Sequence, residues 1–120
     1  AGAPDDGETY PQTIRLYRPL EKGEYILRVC GHSMEPQIPD RSLIIVKDTN
    51  GEKPKYGSIV AYREGNNFTL KLLSYRKNPK TGKREDILKP TNPAYKDVIP
   101  IEGGQISGIY VETLERWEKA

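Results

Sequence analysis

The chain has 120 residues, enough for one domain with a modest core. Hydrophobic residues make up 35% and charged residues 30%, and no apolar run nears the roughly 18 residues of a membrane span, so no membrane partner is expected. Nineteen Lys and Arg against 17 Asp and Glu leave a net charge of +2, too small to argue for nucleic-acid binding by the whole surface. A single Cys cannot form an internal disulfide, and one Cys with one His is a poor metal set. No metal and no cofactor are therefore expected, and a reducing, cytoplasmic setting is.

In chain order, residues 1–13 are rich in Gly, Pro, Asp and Thr and read as a flexible arm, extending to residue 18 ahead of a domain spanning 19–120. The arm has neither a basic start nor an apolar stretch, so it is not read as a secretory signal; it also lacks an initiator Met, which suggests that upstream residues were removed. Short runs of Val, Ile, Leu and Tyr follow, and they predict strands over 25–30, 43–47, 58–63, 68–75, 85–89 and 106–112. Asn and Gly at 65–67 and again at 78–82 predict hairpin turns. Ten Pro and 11 Gly leave room for a helical turn only at 34–38 and after Thr113. The expected fold is mostly β: a single domain of short, strongly bent, partly barrel-like antiparallel sheets with little helix. The run from Arg76 to Arg84 packs five basic residues into nine positions and reads as a solvated hairpin tip.

The stretch VCGHSMEP, residues 29–36, holds the only Cys, His and Met of the chain around Ser33. A serine hydroxyl becomes a good nucleophile only when a base takes its proton. His32 is adjacent, and neighbouring residues on extended chain point to opposite sides, so it is a poor base for Ser33. Lysine is the other route, because a dry setting disfavours the ammonium. Lys71, flanked by Leu70, Leu72 and Leu73, is the first candidate; Lys47, at the end of LIIVK, is the second.

The segments VCGHSMEPQIPDRSLIIV, YGSIVAYREGNNFTLKLL and KPTNPAYKDVIPIEGGQISGIYVE resemble the self-cleaving Ser-Lys peptidase domain shared by LexA, the phage repressors and UmuD. The resemblance covers about Tyr25 to Glu112, and Lys71 follows Ser33 by 38 residues, which suits that family. It implies Ser33 as nucleophile and Lys71 as general base, with the backbone amides of Ser33 and His32 as oxyanion hole. Gly31, Met34 and Pro36 would shape the turn. The segment from Lys89 onward would supply the closing strands and the dimer surface. The substrate would be the arm itself, cut at a small-residue bond for which Ala1-Gly2 is the candidate. The resemblance further implies a homodimer, activation by a RecA-type filament, and one of two settings. One is a repressor that meets DNA through an upstream domain and whose cleavage relieves repression after DNA damage. The other is a UmuD-like subunit of an error-prone DNA polymerase. A silent dimerisation module is the non-enzymatic alternative. Asp40-Arg41-Ser42 departs from the usual Asp-Gly-Asp of the family.

Overall fold

The computed structural model describes residues 9–11, 14–15, 18–114 and 118–119. Nine strands follow one another: β1 (Thr9–Pro11), β2 (Ile14–Arg15), β3 (Glu24–Val29), β4 (Leu43–Asp48), β5 (Ile59–Glu64), β6 (Asn67–Lys77), β7 (Arg84–Lys89), β8 (Gln105–Thr113) and β9 (Glu118–Lys119). Seven of them form one antiparallel sheet in the order β1-β3-β4-β8-β5-β6-β7, and β2 pairs with β9. The sheet is bent where the register shifts at Ile45/Val46 and Ala61/Tyr62, and it is open, with β1 and β7 as its edges. No helix occurs among the described residues, and none is long and apolar enough to cross a membrane.

The six strands expected from the sequence are all present, shifted by one or two residues at their ends. The differences lie at the margins. Thr9–Pro11 and Ile14–Arg15, in the stretch that composition reads as arm, form two short strands. The tail after Thr113 contributes strand at Glu118–Lys119 where a helical turn had room. The segment from Pro90 to Gly104 is mostly loop, touching the sheet through an isolated bridge between Val98 and Leu88; only Gln105–Thr113 of the expected closing strands is regular.

The central strands are apolar on both faces, and that fixes the core. On β4, Ile44 and Val46 pack with Leu27, Val29, Met34, Ile38, Ile59, Ala61 and Leu70. The alternate residues Leu43 and Ile45 pack on the other side with Ile26 and Leu114. A third cluster, Val60, Tyr62, Leu73 and Leu88, fills the space under the β5–β7 half of the sheet. Met34 and Ile38 belong to no strand, so the loop after β3 is anchored into the main core by its own side chains.

Candidate active site

The loop between β3 and β4 is closed at its neck by the backbone. Val29 accepts a hydrogen bond from the Arg41 N–H at 2.8 Å and donates its own N–H to the Ser42 carbonyl at 2.8 Å. Within the loop the Gly31 N–H donates to Asp40 Oδ1 at 2.7 Å, and the Ile38 N–H reaches back to the Met34 carbonyl at 2.8 Å. Gly31 has φ of +96°, a conformation open to glycine and strained for other residues. The chain therefore bends sharply two residues before Ser33, while Met34, only 1% exposed, pins the residue just after it. Pro36 follows a cis peptide bond from Glu35.

Lys71 comes from the middle of β6, directly across from Val60 on β5 and between Leu70 and Leu72. Its Nζ lies 3.0 Å from Ser33 Oγ and 3.0 Å from the Leu70 carbonyl oxygen, to which it donates. Ser33 is 1% exposed and Lys71 4%, so the pair meets almost out of reach of water. The sequence candidates Ser33 and Lys71 are thus brought together. Lys47 is exposed near the end of β4, and its register partners are Glu24 of β3 and Ile109 of β8.

His32 turns away from Ser33. Its Nδ1 is hydrogen-bonded to Glu35 Oε1 at 2.5 Å, and its Nε2 stands 3.9 Å from Asp40 Oδ2. Ala1 and Gly2, the candidate scissile bond, lie outside the described residues. What can be placed is the strand that follows them. β1 runs antiparallel to β3 with Thr9 opposite Val29, so its N-terminal end lies where β3 hands the chain to the Ser33 turn.

One residue at this site has no signal in the sequence. Asn92, in the loop after β7, donates its side-chain Nδ2 to the His32 carbonyl at 3.0 Å and its backbone N–H to the Ser33 carbonyl at 3.0 Å. Its neighbour Thr91 places Oγ1 4.0 Å from Met34 Sδ. An Asn-Pro pair in a polar loop reads as a turn, and the contact spans 60 residues of chain. A cavity of about 560 Å³, lined by Tyr62, Leu73, Asp86, Ile99 and Ile106 among others, lies elsewhere and touches neither Ser33 nor Lys71.

Chemically, a serine hydroxyl against a buried amine is a nucleophile beside a possible base. No group of three or more His, Cys, Asp and Glu side chains that could hold a metal occurs among the described residues. No curated protein matches the chain. The Peptidase S24-like family model matches residues 2–111, nearly the whole length, and with it the chain belongs to that family, the one of the LexA- and UmuD-like domains.

Proposed function

We propose that the chain is a self-cleaving serine endopeptidase domain in which Ser33 is the nucleophile and Lys71 the general base. The observation that carries this reading is the 3.0 Å approach of Lys71 Nζ to Ser33 Oγ in a site closed to solvent. Burial disfavours the ammonium form, so the amine that can accept a proton is favoured there. With its N–H directed at the Leu70 carbonyl, a neutral Lys71 keeps its lone pair for the Ser33 hydroxyl.

The reaction is an acyl transfer. Ser33 Oγ loses its proton to Lys71 and bonds to the scissile carbonyl carbon. The C–N bond then breaks, and the Lys71 ammonium returns the proton to the leaving amine. Water, deprotonated by the same amine, releases the acyl group from Ser33. The Ser33 N–H, used in no hydrogen bond among the described residues, together with that of His32, would hold the oxyanion; such a donor is commonly worth about 3–4 kcal/mol. The substrate is the arm. From Thr9 back to Ala1 an extended chain covers at most roughly 28 Å, and β1 begins at the Ser33 end of β3, so a cut between Ala1 and Gly2 is within the reach of the arm.

In this reading the protein acts as a cytoplasmic homodimer of the LexA or phage-repressor type. Cleavage separates it from an upstream DNA-binding part and relieves repression in the response to DNA damage. Activation needs only a partner, a RecA-type filament by analogy, that favours the docked arm. The test is to incubate the native gene product with and without such a filament and map fragments by mass. A cut before Gly2, absent in Ser33→Ala and Lys71→Ala, is the expected result. An upstream fragment carrying a DNA-binding domain supports the repressor, and a short arm would make the protein a UmuD-like polymerase subunit instead. A chain that stays intact under every condition would reduce it to a silent dimerisation module.

A further inference from the structure

We propose that Asn92 is a positioning residue for the oxyanion site, and this rests on the Ser-Lys reading above. The warrant is the geometry of one peptide unit. The His32–Ser33 bond is trans, and in a trans peptide the C=O and the N–H point to opposite sides. Whatever holds the His32 carbonyl therefore also sets the direction of the Ser33 N–H. The Glu35 N–H holds that carbonyl at 3.1 Å, from within the turn, and Asn92 Nδ2 holds it at 3.0 Å, from a loop 60 residues away. The next peptide unit is fixed in the same way, because the Asn92 N–H binds the Ser33 carbonyl at 3.0 Å. Asn92 thus grips the carbonyls on both sides of the Ser33 Cα. The N–H groups of Ser33 and Met34 are left outside every hydrogen bond among the described residues.

The loop is built to hold this grip. Asn92 Oδ1 accepts the Ala94 N–H at 3.0 Å, and the Tyr95 N–H donates to the Asn92 carbonyl at 3.1 Å, so the side chain is oriented by its own turn before it meets His32. Asn92 is half-buried, and water can compete for its Nδ2; the backbone bond from the same residue keeps the two loops in register. An oxyanion donor works because it is aimed before the charge develops, and Asn92 supplies that aim without touching the substrate.

Asn92→Asp is the informative variant. A carboxylate still accepts the Ala94 N–H, so the turn survives, but it cannot donate to the His32 carbonyl. Self-cleavage of the native gene product is followed as a first-order process across about pH 7 to 10, beside the melting temperature of each variant. The expected result is a plateau rate reduced between roughly tenfold and a thousandfold with the melting temperature unchanged; the added carboxylate can move the pH midpoint only upward, while Asn92→Ala leaves it in place. Asn92→Ala should fall at least as far. An Asn92→Asp protein that cleaves at the wild-type rate overturns the proposal, and so does a rate loss that merely follows a drop in melting temperature. If the wild type never cleaves, with or without an activating filament, the dyad reading has failed, and the clamp is judged by the Ser33 and Glu35 amide resonances in nitrogen-15 spectra. Resonances displaced by Asn92→Asp keep the clamp, and unmoved ones remove it.

Discussion

Lys71 and Lys77 stand on the same strand, β6, at its buried middle and its exposed end. Leu70 and Leu72 flank Lys71, Val60 lies opposite, and its amine meets Ser33 and the Leu70 carbonyl. Around Lys77 the strand has left the core for the β6–β7 hairpin. There Arg76 pairs with Glu85 at 2.7 Å, Lys53 pairs with Asp86 at 2.6 Å, and the Arg84 guanidinium lies over the Tyr56 and Tyr75 rings. Hydrogen bonds from Arg76 and Asn78 hold the Glu85 carboxylate below its usual range, and the hairpin's remaining positive charge stands where water can solvate it. The same residue type is exposed at one end of β6 and sits buried against the Ser33 hydroxyl in its middle. The difference lies in what surrounds the amine.

That contrast can be broken at several strengths. The largest effect belongs to Lys71→Met, which should reduce self-cleavage by roughly a hundredfold to ten-thousandfold while the fold persists. Lys77→Met should leave the rate unchanged. Equal losses from the two would show that charge on β6, rather than the buried amine, matters. Next comes packing. Met34→Ala removes a fully buried anchor of the Ser33 turn and should destabilise the fold by about 2–5 kcal/mol in urea titration. Tyr75→Ala, at a ring 48% exposed, should lose under about 1 kcal/mol. The smallest effect concerns Arg41, whose φ of +66° places an ordinary side chain where glycine is more comfortable. Arg41→Gly should change stability by no more than a few tenths of a kcal/mol toward the stable side. The relieved strain is then partly offset by the greater freedom of glycine when unfolded. A clear loss of stability would mean that Arg41 is held by something other than its backbone.

Much of this was legible in the residues. The six long strands announce themselves through β-branched runs closed by Gly, Asn and Pro, and Lys71 through its leucine flanks. β1, β2 and β9 are two or three residues long, too short to show any periodicity, and they exist only because partners pair with them. The openness of the sheet was equally invisible, since closure depends on which strands become edges rather than on any one strand's pattern. Asn92 escaped for the opposite reason to Lys71. Its surroundings in sequence, Thr91 and Pro93, describe a turn truthfully, while its partners His32 and Ser33 arrive through the tertiary fold.

The pH dependence of self-cleavage probes the Ser33–Lys71 pair most directly. The first-order rate of the native gene product should rise with pH and then level off as Lys71 loses its proton, because only the neutral amine can take the Ser33 proton. Ser33→Ala should be silent throughout. A wild-type rate that stays flat from about pH 7 to 10, or undiminished cleavage in Lys71→Ala, would contradict lysine as the base and return Ser33 to an ordinary buried turn residue.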